Sequence, residues 1–196
     1  PTRYGWVWST VPDDLSDDPE ATAQAAAEVD GVDAVAGLWF TTVSIDGEQV
    51  PAAALEPVAG SMAFTQFEGR QPTGPSEVAI APTLAEDLDL EIGDQLTLDA
   101  GGEDGGTGGS IDLEVVGTVV GPPIDDFYRE VVLSVDGLNA LAQSEPTAYV
   151  AIRYEADASA AGVEDDLETL GYRFTSSAYP KPPSQVEQFR TVAPLL

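Results

Sequence analysis

Residues 69–98 read GRQPTGPSEVAIAPTLAEDLDLEIGDQLTL, and the order of elements in this stretch decides how the rest of the chain is arranged. Pro72, Gly74 and Pro75 break any regular element, and Val78, Ile80 and the alanines beside them then form a short apolar run that fits a buried strand. Pro82 suits the first turn of a helix, where its missing N–H is not needed, and Leu84, Leu88 and Leu90 supply that helix with an apolar stripe. Gly93-Asp94 makes a turn, and Gln95-Leu96-Thr97-Leu98 alternates polar and apolar as a half-buried strand does. The stretch predicts turn, strand, helix, turn, strand. Nothing in it is catalytic.

Upstream, residues 4–10 (YGWVWST) alternate around aromatic side chains and predict a strand. Residues 12–19 (PDDLSDDP) form an acidic linker in which Asp17 or Asp18 can cap an alanine-rich helix over 20–29, with Pro19 in its first turn. Gly31 stops that helix. A strand then runs through Val35 and Trp39 to Ile45, Asp46-Gly47 signals a hairpin, and the return strand ends near Pro57. Residues 58–70 look irregular, with Met62, Phe64 and Phe67 available for packing.

Downstream, residues 99–110 (DAGGEDGGTGGS) read as a mobile hairpin loop. Residues 111–120 (IDLEVVGTVV) read as a strand, with Gly117 a bulge or close-contact point. Glu130 to Ser134 make another short strand, and a short helix capped by Asp136 ends before Pro146. A strand over 147–155 (TAYVAIRYE), an amphipathic helix over 159–170 and a strand over 172–176 complete the pattern. The fold class this predicts is α+β. A ferredoxin-like unit, βαββ followed by βαβ, is interrupted by a mainly-β insert. The expected divisions are 1–57 and 147–178 for the two halves of the outer unit, 58–146 for the insert, and 179–196 for a connector that starts with a stiff proline-rich run (YPKPP).

Composition removes several functions. The chain carries 35 acidic and 7 basic residues, a formal charge of −28. Binding nucleic acid depends on cationic contact with phosphate, so no nucleic-acid partner is expected. With no histidine the Ser-His-Asp arrangement cannot form, and with no cysteine there is neither disulfide nor thiol chemistry. Lys181, the one lysine, sits between two prolines, where a spacer role is expected rather than Ser-Lys catalysis. Residues 101–109 lack the GK[ST] ending and the strand-to-helix setting of a phosphate loop. Asp87, Asp89 and Glu91 imitate the start of a calcium loop, but its glycine, Gly93, falls one place late and its closing acid position is Leu98. Weak cation binding is conceivable only near residues 13–18, where carboxylates cluster. No catalytic, cofactor or metal residue is assigned. No run reaches the roughly 18–20 apolar residues that span a bilayer. The first residue is Pro1 rather than Met, and the last residues are apolar, so the chain reads as a segment of something longer. The candidates left for function are Phe64, Phe67, Phe127 and Tyr128, aromatics in irregular parts of the insert that could contact a partner, with core packing as the competing role.

The opening stretch resembles the extracytoplasmic domain of MacB/FtsX-like ABC transporter permeases. The resemblance lies in Gly69-Arg70, Pro72, Glu77-Val78, Ile80, Leu84, Leu88 and Leu90, then Ile92-Gly93-Asp94 and Leu96-Thr97-Leu98, followed by Val115-Val116-Gly117-Thr118-Val119 as the next strand. Pro182-Pro183-Ser184 through Phe189-Arg190 and Val192 to Leu195 is similar to the membrane re-entry of actinobacterial-type members. The resemblance implies an α/β porter part interrupted by a mainly-β, sabre-like insert, held on the outer face of the cell membrane between two transmembrane helices. It implies ATP hydrolysis by a separate cytoplasmic ATP-binding subunit, a non-enzymatic role for this chain in relaying conformational change, and a second permease domain or an extracellular protein as further partners. The rivals are a secreted ligand-binding module, with a cleft between porter and insert, and an acidic hydrolase using two carboxylates.

Overall fold

Asp46 and Gly47 both take positive φ, 51° and 84°, the backbone that a two-residue type I′ hairpin requires. They turn β2 (Val32–Ile45) back into β3 (Glu48–Ala59), which pair from Val35↔Ala59 to Ile45↔Glu48. This long hairpin is the spine of the molecule. The computed structural model describes residues 6–10, 19–100, 109–120, 129–141 and 147–174.

On the side of β2 away from β3, the strands run in the order β10-β1-β9-β2, all antiparallel. Here β1 is Trp6–Thr10, β9 is Thr147–Tyr154 and β10 is Arg173–Phe174. The helices α1 (Pro19–Ala27) and α4 (Ala160–Thr169) connect them and cover the face. Strand, helix, strand from each end of the chain, interleaved in that order, is the ferredoxin-like arrangement the pattern predicted. Ala23, Ala26, Val35, Ile152, Val163, Leu167 and Tyr172 are buried between helices and sheet. The Tyr172 hydroxyl donates to the Thr22 carbonyl in α1, and burial pushes its phenol up to about 12. Unfolded tyrosine loses its proton above 10.0, so this contribution is complete below that pH and is lost as pH rises toward 12. Tyr172→Phe is therefore expected to cost about 1 kcal/mol in urea denaturation at neutral pH, the net worth of a buried hydrogen bond. It should also blunt the loss of stability that the unsubstituted chain shows under alkali.

The strands between β3 and β9 close on the same spine. Strands β2, β3, β8 (Val131–Leu133), β5 (Glu77–Ile80), β7 (Ser110–Val120) and β6 (Gln95–Ala100) pair in sequence, and β6 returns to β2 through Val43↔Ala100 and Ser44↔Asp99. The result is a ring of six strands whose ends close on one another. Its interior holds Val43, Ile45, Val50, Ala52, Ala54, Ile80, Leu96, Leu98, Leu113 and Val115. The short helices α2 (Pro82–Leu88) and α3 (Val135–Leu141) contribute Leu84, Leu138 and Leu141 to the same core. β6 shows the expected alternation, with Leu96, Leu98 and Ala100 buried and Gln95 and Thr97 exposed. The opposite face of the spine buries Ala36, Leu38, Ala53, Met62, Phe64, Val119 and Ala151.

Several local expectations change. Residues 65–69, read as irregular, are strand β4 (Thr65–Gly69), paired antiparallel to the end of β7. The strand escapes a pattern search because four of its five residues are exposed and its register shifts between Gln66 and Glu68. Gly117 sits at a bulge as expected: Val78 faces Val115 while Ala79 faces Gly117, leaving Val116 as the extra residue. The cap of α3 is Ser134, whose Oγ accepts from the Gly137 N–H at 3.1 Å, rather than Asp136, which lies two residues later within the first turn. The glycine-rich loop at 101–108 and the acidic linker at 11–18 lie outside the described residues.

Candidate partner-contact surface

The stretch at 69–98 builds a platform around the β7 bulge. Arg70 and Glu77 pair through both guanidinium nitrogens, at 2.5 Å and 2.8 Å. Glu77 also accepts from the backbone N–H groups of Thr73, at 2.8 Å, and Gly74, at 3.2 Å. One carboxylate thus closes the proline-broken loop at 70–77, and the Arg70 guanidinium, then the Thr73 amide, holds its pKa far below the usual carboxylate range. That contribution is present at neutral pH and is lost only as acid protonates Glu77. The Arg70 N–H donates to the Val116 carbonyl at 3.0 Å, which gives the bulged residue a partner.

The Ile92-Gly93-Asp94 turn docks on the same strand, next to Gly69. Gly93 N–H donates to the Val115 carbonyl and Val115 N–H to the Asp94 carbonyl, both at 2.8 Å. Asp94 Oδ2 accepts from the Glu91 N–H at 2.8 Å. Gly93 takes φ of 102°, a conformation that favours glycine. Asp87 and Asp89, the residues that imitated a calcium loop, serve the structure. Asp89 closes α2 in the left-handed conformation with φ of 54°. Asp87 lies 3.5 Å from Arg129, which also reaches Glu48 at 3.4 Å.

Two large apolar side chains stand out on this platform. Phe67, at the irregularity in β4, is 53% exposed, and Ile92, in the docked turn, is 46% exposed. They line one groove of about 700 Å³ together with Leu90, Ala85, Pro82 and Thr118, and with Glu68 and Glu91 at its edge. The four aromatics picked from the sequence therefore separate. Phe67 is on the surface. Phe64 is 4% exposed, packed in the core behind the sheet with Met62 and Val119, so the contact role expected for it is corrected to a packing role. The reason is local: Met62 and Phe64 alternate inward as the chain crosses the back of the sheet before β4 begins. Phe127 and Tyr128 lie outside the described residues. Ile92 was missed because it was read as part of a turn motif. An apolar residue between Glu91 and Gly93, after the helix stripe had ended at Leu90, was the signal for it.

A second hollow of about 290 Å³ lies where the end of β3 meets the 71–73 loop and the start of α3. Glu56 and Asp136 are its carboxylates, and both are exposed. It is smaller than most sites that enclose a small-molecule ligand. A general-acid carboxyl kept protonated at neutral pH needs a desolvated setting, which neither of these two exposed residues has.

The MacB-like periplasmic core domain matches residues 3–170 of the chain. The periplasmic region of MacB from Actinobacillus actinomycetemcomitans superposes with a TM-score of 0.56 at 9% identity, covering 97% of this chain and 94% of that one. The extracellular domain of the noncanonic ABC-type transporter YknZ from Gram-positive bacteria superposes with a TM-score of 0.51 at 17% identity, covering 87% of this chain and all of that one. At such identities these likenesses bear on the fold alone. No curated protein matches the chain by sequence. Among the described residues no helix is long and apolar enough to cross a membrane. The chain belongs to the MacB-like periplasmic core domain family, and is the extracytoplasmic domain of an ABC transporter permease.

Proposed function

We propose that this chain relays ATP-driven movement of the transporter to events outside the membrane, and catalyses no reaction itself. One observation carries the reading: the course of β2 relative to the chain ends. Trp6 lies level with Arg153 and Ala34, and Thr10 with Tyr149 and Leu38. β10 pairs Ser9↔Phe174 and Thr10↔Arg173, so it runs back toward the Trp6 end of β1. The chain therefore enters β1 and leaves β10 at one end of the sheet, while β2 continues past Leu38 into the ring at Val43 and Ser44. A displacement applied where the chain enters and leaves travels along two unbroken strands, 14 and 12 residues long, into the ring.

In this scheme residues 1–57 and 147–178 receive the movement, 58–146 present it to a partner, and 179–196 connect to the membrane. Membrane helices lead into and out of the chain, a cytoplasmic ATP-binding subunit drives them, and a second permease domain or an extracellular protein meets the insert, with Phe67 as a contact. The chain has no cysteine, so single labels can be placed at will. Spin labels at Thr97→Cys on the ring and Glu168→Cys on α4 would be measured against a reference label on the ATP-binding subunit of the reconstituted transporter. Both distances are expected to change together on ATP binding. A Thr97 label that stays fixed through the hydrolysis cycle would remove the relay.

A further inference from the structure

We propose that the groove walled by Phe67 and Ile92 and edged by Glu68 and Glu91 is the docking site for a protein partner's segment bearing an apolar side chain flanked by lysine or arginine. This deepens the relay reading and rests on it, because it supposes a partner outside the membrane. Exposure alone would not carry it, since a single surface apolar residue is ordinary. Leu170, 42% exposed just past the end of α4, is such a residue. The difference here is that two apolar side chains converge and neither is free to fold away. Phe67 is the residue that β4 leaves without a partner between Gln66↔Val119 and Glu68↔Thr118. Ile92 sits in a turn fixed to Val115 on one side and closed by Asp94 on the other. The Ile92 side chain reaches over Gly69, where any side chain would meet its Cδ1. Leu90 and Ala85 complete the apolar lining. Holding such side chains exposed has no benefit for stability, and a preformed pocket lowers the entropy cost of binding an anchor residue.

The charge around the groove selects the occupant. Glu68 and Glu91 stand at its edge in a chain whose net charge is −28. A second copy would bring −28 against −28, and an anionic lipid surface would be repelled in the same way. A partner with cations beside its anchor gains at both edges, chiefly in encounter rate and specificity. The mode of docking is narrowed as well. β4 is an edge strand, but the Gln66 side chain donates to the Gly69 carbonyl and, at 3.4 Å, to the Glu68 carbonyl. That occupies the Gly69 carbonyl at the end of the strand, and the register shift at Phe67 breaks the regular edge, both of which favour an inserted side chain over an added strand.

The test uses a fluorescent peptide of alternating lysine and leucine, with lysine–glycine and glutamate–leucine peptides of equal length as controls, titrated into the full chain at physiological salt. The lysine–leucine peptide is expected to bind, and both controls to bind at least about tenfold more weakly. Phe67→Ser and Ile92→Ser should each weaken binding about tenfold or more, as loss of an anchor contact does. Leu170→Ser should leave it unchanged. Glu68→Gln with Glu91→Gln should weaken it about threefold and flatten its salt dependence. These are exposed positions, and unchanged circular dichroism would verify that each variant is folded. Equal binding of the lysine–glycine peptide, or binding indifferent to Phe67→Ser, overturns the proposal. So does a concentration-dependent dimer that Phe67→Ser dissolves, which would make a second copy the occupant. Failure here leaves the nucleotide-driven label distances untouched, so the relay and the groove stand or fall separately.

Discussion

Gly117→Ala is expected to destabilise the chain by about 3 kcal/mol or more, among the largest effects a single methyl group can have. The cause is backbone, not side chain. A Cβ at Gly117 would press on the carbonyl oxygens of Arg70 and Glu68 and on the Arg70 nitrogen, none of which can rotate away. Gly117 faces Gly69 across the β4–β7 pair, and Gly69 holds φ of 68°. Two strands therefore approach at a point where neither carries a side chain. The space is used by the bulge at Val116, which lets β7 serve both faces: Leu113 and Val115 fill the ring, whereas Val119 packs behind the sheet. A Cβ would force β4 away from β7 and expose both cores at once. Urea denaturation checks this, with Gly109→Ala as the control. Gly109 has nothing within 4 Å of its added Cβ, so that variant should differ from the unsubstituted chain by no more than about 0.5 kcal/mol. Equal stability of the two variants would show that β4 can move without cost.

Gly117 also shows what a sequence can and cannot reveal. A lone glycine inside IDLEVVGTVV marks a bulge or a close approach from local pattern alone, and the structure has both. The hairpin at Asp46-Gly47, the alternation of β6 and the helix opening at Pro82 were legible for the same reason: each follows from neighbours in the chain. The ferredoxin-like unit followed from the strand-helix-strand pattern at each end, while its strand order, β10-β1-β9-β2, is seen in the structure. Closure of the ring did not, because it depends on Val43 meeting Ala100 across more than fifty residues, and no local period encodes that. β4 was hidden because an exposed edge strand has no apolar alternation to detect. For the site, Phe64 and Phe67 are chemically alike and three residues apart, so only the path of the backbone could separate the buried one from the exposed one. The Arg70–Glu77 pair was quoted as part of a motif, but its purpose, closing a loop that two prolines keep from folding regularly, needed the geometry.

Leu98→Ala in the ring and Leu167→Ala beneath the helices are each expected to cost about 3 kcal/mol, and both should do so within one unfolding transition. Both side chains are fully buried, in cores on different parts of the spine. Were the ring an independent domain, Leu98→Ala would melt it alone and leave the helix-covered sheet standing, giving two transitions. The shared strands argue otherwise. β2 contributes Val35 to the helix core and Val43 and Ile45 to the ring, and β3 packs Ala52 and Ala54 into the ring while its end, at Val58, packs against the helix core. Losing the ring would strip β2 of β6, and β3 of β8, leaving long edges unpaired that the remaining sheet cannot cover. Calorimetry should therefore show one peak, lowered by about 6–12 °C in either variant. Amide exchange should slow or quicken together at Leu98 and Ile152. The outcome bears directly on the relay, since a movement received at β1 and β10 reaches the groove beside Phe67 only if sheet and ring move as one body. Two separate transitions would place a soft joint between them and remove the mechanical basis for coupling.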